Sequence, residues 1–290
     1  VGRCNTFFEE YWQYVLKHNV IRVPEGCPTV HQAMELAVIF SQRNKCTREN
    51  PVKVVVGEGE HVMVGVASDD DDWAGRMTQV SCNNITIVGK GKGKTTILGG
   101  FYVNGKQNVK IEQLSATNQY GYGLDCDGSG TNVDVMECGF KKCHYGGMGV
   151  GAGATVTAVQ CDFMENGQLG VYCGGANTKV RLNDCKMYHN TDHGLFAYDH
   201  AVVDIHGTKT AIHANKIRGI LADLRGKVNI HLPSQHNTSH DNGGEDRGQR
   251  SGGSIANINA DGTFTHVEYY QTGAQAENAL LAELFGMEEE

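Results

Sequence analysis

The sequence predicts an all-β solenoid: a right-handed parallel β-helix with short helical caps at both ends. Two observations carry this reading. From Val109 onward the chain repeats, with segments VKIEQL, VDVMECGF, VTAVQCDF, VRLNDCKM, VDIHGTKT and VNIHLPSQ beginning at residues 109, 133, 156, 180, 203 and 228. In each segment the first and third residues are apolar (Val109/Ile111, Val133/Val135, Val156/Ala158, Val180/Leu182, Val203/Ile205, Val228/Ile230), the period-two mark of a strand with one buried face. A second short strand recurs after a glycine, at Gly123-Leu124, Gly147-Met148, Gly170-Val171, Gly194-Leu195 and Gly219-Ile220. Too few residues remain in each repeat for a helix, which excludes doubly wound and leucine-rich-repeat-like folds.

The remaining elements follow in chain order. Thr6-x-x-Glu9 reads as a capping box, ahead of a helical apolar stripe of Phe7, Phe8, Tyr11, Trp12, Val15 and Leu16. A strand, Val20 to Val23, comes next. Pro28 and Thr29-x-x-Gln32 open a second helix with Ala33, Met34, Ala37, Val38 and Phe40 on its apolar side. Val52 to Val56 and Ile85 to Val88 read as strands, and the repeat is then legible from Val109 to Asn242. Asn166 and Asn190 hold matching turn positions, as do Asn215 and Asn242 after small offsets, a spacing that suits asparagines stacked from coil to coil. Thr263 to Tyr270 reads as one more strand, and 276–287 as an amphipathic helix bearing Ala276, Leu280, Leu284 and Met287. The predicted organisation is a cap over 1–50, a β-helix over 51–252 and a C-terminal strand and helix over 253–290. Helices at the ends suit a solenoid that must cover its open edges.

Composition narrows the function classes. The 290 residues carry a net charge of −8, which argues against a general nucleic-acid binder, since that needs a basic footprint. No apolar run reaches the length of a membrane span, no signal-peptide pattern is visible, and nothing implies a cofactor. The chain opens on Val1, which is compatible with a removed leader. Among ten cysteines, Cys138, Cys161 and Cys185 share one repeat position, and Cys126 and Cys173 share another. Stacked residues sit about 4.8 Å apart, whereas disulfides want Cβ atoms nearer about 3.8 Å. Free buried thiols are therefore expected, which favours a reducing, intracellular compartment. Cys27 and Cys46, flanking the second helix, are the pair for which a bridge stays open. Asn84-Ile85-Thr86 and Asn237-Thr238-Ser239 are glycosylation triplets of a kind that arises often by chance.

The repeat resembles the pectin-lyase-like superfamily of right-handed parallel β-helices. The opening "CPTVHQAMELA … VKVVVGEGEHV … NNITIVGKGKGKTTILGG" looks like that of pectinesterases, and the likeness covers roughly residues 20–242. In repeat style the chain is closer to uncharacterised β-helix repeat proteins of microalgae. The resemblance implies the fold and, through its flat outer faces, polysaccharide as a ligand. It carries no catalytic set over. The Gln-Asp-Thr-Leu and Asp-Phe-Ile-Phe-Gly segments of pectinesterases are missing, and so is an acidic calcium cluster with its arginine. Mannuronan epimerases carry Asp-Pro-His-Asp, to which the nearest segment is Tyr198-Asp199-His200-Ala201.

Several groups are candidates for function. If catalysis exists, Asp199 and His200 are the first candidates and His193 the next, because carboxylates and an imidazole can exchange protons with a sugar. The competing reading makes them solvated turn residues. The outward column Lys110, Asp134, Thr157, Arg181, Asp204 and Asn229 offers a binding face, with Arg181, Asp204, His206 and His231 as ligand-binding candidates and an Arg181–Asp204 pair one coil apart. Such a column is equally a solubilising face. Ser68 to Trp73, "SDDDDW", reads as a solvated loop rather than a cation site, because its acids are consecutive. His236, His240, Asp241, Glu245 and Asp246 lack the spacing of a metal site, and none is predicted. The leading expectation is a non-catalytic module that binds polysaccharide along a lateral face. The alternatives are a structural or adaptor subunit, using lateral faces or the C-terminal helix to meet protein partners, and a carbohydrate-active lyase, hydrolase or epimerase with atypical residues. Aromatic rings gathered on one face would favour glycan, with Tyr120, Tyr122, Tyr145, Tyr172, Tyr188 and Tyr198 as the available rings.

Overall fold

A computed structural model describes residues 2–63, 77–231, 238–259 and 264–266. The chain winds into stacked coils, each passing through three sheets. Among the described residues the first sheet has eleven strands and the second and third have eight each. One coil shows the plan: Asn132–Met136 lies in the first sheet, Gly139–Lys141 in the second and Gly146–Val150 in the third. The next first-sheet strand, Thr155–Val159, then stacks on Asn132–Met136 in parallel. Among the described strands all pairings are parallel except one, where Phe264–His266 runs antiparallel to Ser254–Ile258.

The coils start well before the legible repeat. Val20–Val23 already pairs with Val52–Val56, and that strand with Ile85–Val88. The second-sheet strands are the part that period-two alternation does not reveal. Each is only three or four residues long and many present a single core side chain. These side chains form a column: Ile97, Ala116, Phe140, Phe163, Met187 and Ile212. Phe140 and Phe163 are stacked with centroids 5.5 Å apart.

Helix α1 (Gly2–His18) and helix α2 (Val30–Arg43) stand before the first full coil. Thr29 caps α2 as expected, accepting the Gln32 amide at 3.2 Å. The Thr6 cap is corrected: α1 begins at Gly2, so Thr6 falls inside the helix. Val15 of α1 and Val30, Ala33, Ala37 and Phe40 of α2 are buried in the same core as the coils, so the apolar stripes cover the end of the barrel. The helix expected over 276–287, the acidic run at 68–73 and His236 lie outside the described residues.

Asparagines clamp the corner between the second and third sheets. Asn166 Nδ2 donates to Asn190 Oδ1 at 2.9 Å, Asn190 Nδ2 to Asn215 Oδ1 at 2.8 Å, and Asn215 Nδ2 to Asn242 Oδ1 at 2.9 Å. Asp246 ends the series, accepting from Asn242 Nδ2 at 2.7 Å. Left-handed backbone at this corner belongs to the preceding residues, Glu165, His189, Ala214 and Asp241. The asparagines thus serve by satisfying buried polar groups along the axis.

The nine described cysteines other than Cys4 are free, Cys27 and Cys46 included. Cys161 and Cys185 donate to carbonyls of the preceding coil, Val135 O at 3.6 Å and Ala158 O at 3.4 Å. Burial pushes the Cys138 and Cys173 thiols up to about 12 and raises Cys161, while the hydrogen bond from Cys161 lowers Cys185. The Asn84 triplet is engaged in the fold: Asn84 Nδ2 donates to Cys46 O at 3.0 Å, Asn108 donates to Asn84 Oδ1 at 2.8 Å, and Thr86 is buried.

Candidate functional site

On the first sheet's outer face, Arg181 and Asp204 sit opposite one another in register. The expected Arg181–Asp204 ion pair is corrected. Asp204 Oδ1 instead accepts from Asn229 Nδ2 at 2.9 Å and lies 3.1 Å from His231 Nε2. An arginine reaching up from one coil competes with two shorter side chains already in place on the next. His206 stacks on His231 with centroids 4.0 Å apart. Burial first, then the His231 and Arg181 charges, lower the His206 pKa, against Asp204. This column largely satisfies itself.

Asp199 and His200 form the turn from third to first sheet, both with left-handed backbone. His200 Nδ1 lies 3.0 Å from Asp199 Oδ1, with both side chains about half exposed. His193 lies at the opposite end of the third-sheet strand Leu195–Tyr198. It is buried, its Nε2 is 3.2 Å from Asp192 Oδ1, and its ring packs edge-on against Phe196. Burial lowers its pKa more than Asp192 raises it. A four-residue strand spans about 13 Å, so the fold holds His193 apart from Asp199 and His200, and no contact joins them into one constellation.

A cluster not singled out from the sequence lies on the outer face of the third sheet. In the strand Leu124–Asp127, Leu124 and Cys126 point into the core and Asp125 and Asp127 point out. Registered outward neighbours of Asp125 are Tyr102 on one side and Gly149, then Tyr172 and Phe196, on the other. The glycines make a bay. A Cβ at Gly149 would meet Asp125 Oδ1 at 2.8 Å and the Tyr122 ring at 3.1 Å, and one at Gly151 would meet Asp127 Oδ1 at 2.5 Å. The Tyr122 ring and both carboxyls therefore fill the space those two missing side chains leave. Tyr145 stands 6.0 Å from Tyr122, centroid to centroid, and Phe196 bridges Tyr172 and Tyr198 at 5.8 and 5.4 Å. Four of the six tyrosines named from the sequence thus gather on one face, while Tyr188 lies on the second sheet between Met164 and His213.

The electrostatics of the bay are unusual. Asp125 is only 4 % exposed, and its Oδ2 is buried without a hydrogen-bond partner. Burial, then the neighbouring Asp127 charge, push its carboxyl up to about 8, with the Cys126 amide acting the other way. Burial also raises Asp127. Burial, followed by the Asp125 charge, raises the Tyr122 hydroxyl. Neither aspartate forms an ion pair among the described residues. A carboxyl held protonated near neutral pH, beside a second carboxyl and a phenol, can donate a hydrogen bond or exchange a proton with a bound hydroxyl. No group of three or more His, Cys, Asp or Glu among the described residues is placed to hold a metal ion. None of the described helices is long and apolar enough to cross a membrane.

Coils, three parallel sheets and stacked polar ladders define the class as a parallel β-helix. Residues 76–238 match the family described as "Right handed beta helix region", and the chain belongs to that family. It is similar in structure to the mannuronan C-5 epimerase AlgE4 A-module of Azotobacter vinelandii, at 13 % identity and TM-score 0.50, over 81 % of this chain and 75 % of that one. It is likewise similar to ORF18 of Geobacillus virus E2, at 12 % identity and TM-score 0.50, over 84 % of this chain. It spans 62 % of that viral protein's length. At these identities the likeness is one of fold. No curated protein matches the sequence.

Proposed function

We propose that this β-helix binds polysaccharide along the outer face of its third sheet. The observation that carries the reading is the aromatic row Tyr102, Tyr122, Tyr172 and Phe196, set around the buried Asp125 carboxyl. Aromatic faces pack against sugar rings, and a few polar groups placed among them fix orientation. The row runs with the coil axis, with Tyr172 and Phe196 on adjacent coils and Tyr102 three coils before Tyr172, a length that suits an extended chain more than a compact ligand. A structural neighbour named for an epimerase of mannuronan is in keeping with a glycan ligand. The adaptor reading has less to stand on: the exposed large apolar side chains among the described residues, Ile39, Val62, Tyr120, Met136, Ile217 and Leu224, sit on separate elements rather than in a contiguous patch.

A glycan array tests the proposal, with wild type beside Tyr172→Ala, Gly149→Val and, for the first-sheet face, Arg181→Ala. Retention of a glycan that Tyr172→Ala and Gly149→Val lose and Arg181→Ala keeps is the expected result. Loss through Arg181→Ala alone would move the site to the Arg181, Asp204, His206 and His231 column. No retention of any glycan by the folded protein would sink the reading.

One observation favours a second reading, a carbohydrate-active enzyme: Asp125 is held protonated beside Asp127 and Tyr122, the kind of group that serves as an acid or base. Turnover of pectate, alginate or a neutral glycan that Asp125→Asn abolishes would establish it. Turnover abolished by Asp199→Asn or His200→Ala, and kept by Asp125→Asn, would place the chemistry at the third-to-first-sheet turn instead.

A further inference from the structure

Among the described residues, the two acids of the third-sheet bay have no cation paired with them. Asp125 feels Asp127, Tyr122 feels Asp125, Tyr172, Asp127 and Tyr145, and Tyr172 feels Tyr198, Cys173, Asp199 and Asp127. These neighbours are carboxyls, phenols and one thiol, with no cation among them. Among the described residues no lysine, arginine or histidine pairs with Asp125 or Asp127. A buried carboxyl oxygen with no partner is costly, and native structures keep such groups rarely and for cause. Here the cost sits where the missing side chains of Gly149 and Gly151 let two outward acids and the Tyr122 ring lie against the sheet.

The charge says what the bay rejects and what it takes. A uronate or a sulfated sugar would bring a further anion beside Asp127 and against an Asp125 carboxyl that burial and Asp127 already keep from ionising. A neutral sugar can accept a hydrogen bond from the protonated Asp125 but leaves Asp127 without a cation. A protonated amine supplies three N–H donors and one positive charge. Acids two residues apart on one strand face lie about 7 Å apart, which leaves room for an ammonium to reach both. Tyrosine faces beside the pair add attraction for a cation.

Resting on the polysaccharide reading above, we propose that the ligand of this bay is an amino-sugar glycan. Its ammonium lodges between Asp125 and Asp127 and lies against the rings of Tyr122 and Tyr172. On binding, the Tyr122 ring moves off Gly149 to uncover Asp125 Oδ2. Asp125 then gives up its proton to solvent, because the ammonium stabilises the ionised form.

Calorimetry on the full chain tests this with three oligosaccharides of equal length: glucosamine, N-acetylglucosamine and galacturonate. The glucosamine oligomer is expected to bind at least about tenfold more tightly than its acetylated counterpart, with no measurable binding of the galacturonate. Repeating the titration in two buffers of different ionisation enthalpy should reveal net proton release at neutral pH, absent in Asp125→Asn. Asp127→Asn, at a more exposed position whose replacement leaves the core untouched, should weaken the glucosamine oligomer about tenfold. Equal or tighter binding of the acetylated or galacturonate oligomer would overturn the amine inference while leaving a polysaccharide binder in place. Binding of none of the three also overturns it, and the array then decides separately whether any glycan is bound. Unchanged affinity in both aspartate variants, with their melting curves intact, would remove the site from the bay.

Discussion

Replacing Asp125 by asparagine should make this protein more stable as pH rises, and the size of the effect follows from the bay. In the folded chain burial holds the carboxyl up to about 8, against an ordinary 3.8. The group's folded pKa is raised although it is an acid, so the sign is opposite to that of a salt-bridged aspartate. Below about pH 4 both folded and unfolded chains hold the proton and there is no penalty. Between about pH 4 and pH 8 the unfolded chain releases it and the folded chain does not, so stability falls as pH rises and levels off above about pH 8. At about 1.4 kcal/mol per pH unit, the wild type loses on the order of 4 kcal/mol between about pH 4.5 and pH 8. Asparagine has the same shape and does not titrate. Any cost of burying its amide is independent of pH. Thermal melts of both proteins across that range should show the variant's advantage widening by about 8 °C or more, taking about 2 °C per kcal/mol for a chain of this size. A gap that stays constant from acid to alkaline pH would mean that Asp125 is not held protonated, and the electrostatic account of the bay would fall with it.

The other predictions concern the scaffold. Asn190→Ala removes the acceptor of Asn166 N and Nδ2 and the donor to Phe163 O and Asn215 Oδ1, leaving buried groups unpaired. A loss of about 2–4 kcal/mol in urea unfolding is expected, and a change below about 1 kcal/mol would contradict the load assigned to the ladder. The His206 pKa is lowered in the folded state, chiefly by burial and then by His231 stacked at 4.0 Å. The unfolded chain therefore binds protons first, and stability is lost as pH falls through the ordinary histidine value of about 6.5. His206→Gln should flatten that acid-side decline in melts between about pH 7.5 and pH 5.5, and an unaltered slope would count against it. Thiol titration of the denatured, unreduced protein should find most of the ten cysteines reactive. Five disulfides would contradict the free column of Cys138, Cys161 and Cys185.

Which parts of the fold were legible depends on how many core residues each strand spends. The first-sheet strands place two residues in the core, as Val133 and Val135 do, so alternation declares them. A second-sheet strand such as Asp162–Met164 buries only Phe163, and a single apolar residue has no period. The first two coils break the period, at 33 residues each by register (Val20 to Lys53, Val52 to Ile85), whereas Ile85 to Val109 keeps the later spacing of 24. Val52–Val56 and Ile85–Val88 were legible as strands within the expected β-helix of 51–252, while Val20–Val23, read as a strand ahead of it, pairs with Val52–Val56. The bay was hidden for another reason. Leu124-Asp-Cys-Asp reads as an ordinary strand with acids facing solvent, and burial of Asp125 depends on residues one coil away. Aligning the repeats would have exposed it: the positions that hold Asp125 and Asp127 in one coil hold Gly149 and Gly151 in the next. Two outward acids facing two outward glycines is a pattern that neither composition nor periodicity scores. The Arg181–Asp204 expectation failed in the same register, since the repeat places residues opposite one another without deciding which neighbour wins the hydrogen bond.

The solenoid architecture explains how a buried, unpartnered carboxyl can persist at all. Each coil contacts chiefly its two neighbours, so stability is close to a sum of local terms. The penalty of Asp125 is therefore borne by its own coil and the ones beside it. There the Tyr122 ring covers glycines, Phe140 stacks on Phe163, and Cys138 and Cys143 are fully packed. The asparagine ladder begins where the bay ends: Cys143 holds the ladder position in the coil that carries Gly149, and its amide donates to Asn166 Oδ1 at 3.0 Å. The hydrogen-bonded clamp thus runs from that point toward the C-terminal coils, and the strained acid lies just on its N-terminal side. A globular core of equal size would spread the same penalty through packing shared by the whole molecule. In a stack, one coil can be spent on a site while its neighbours hold the register, and this makes the Asp125 coil the place where stability and ligand binding should trade against each other.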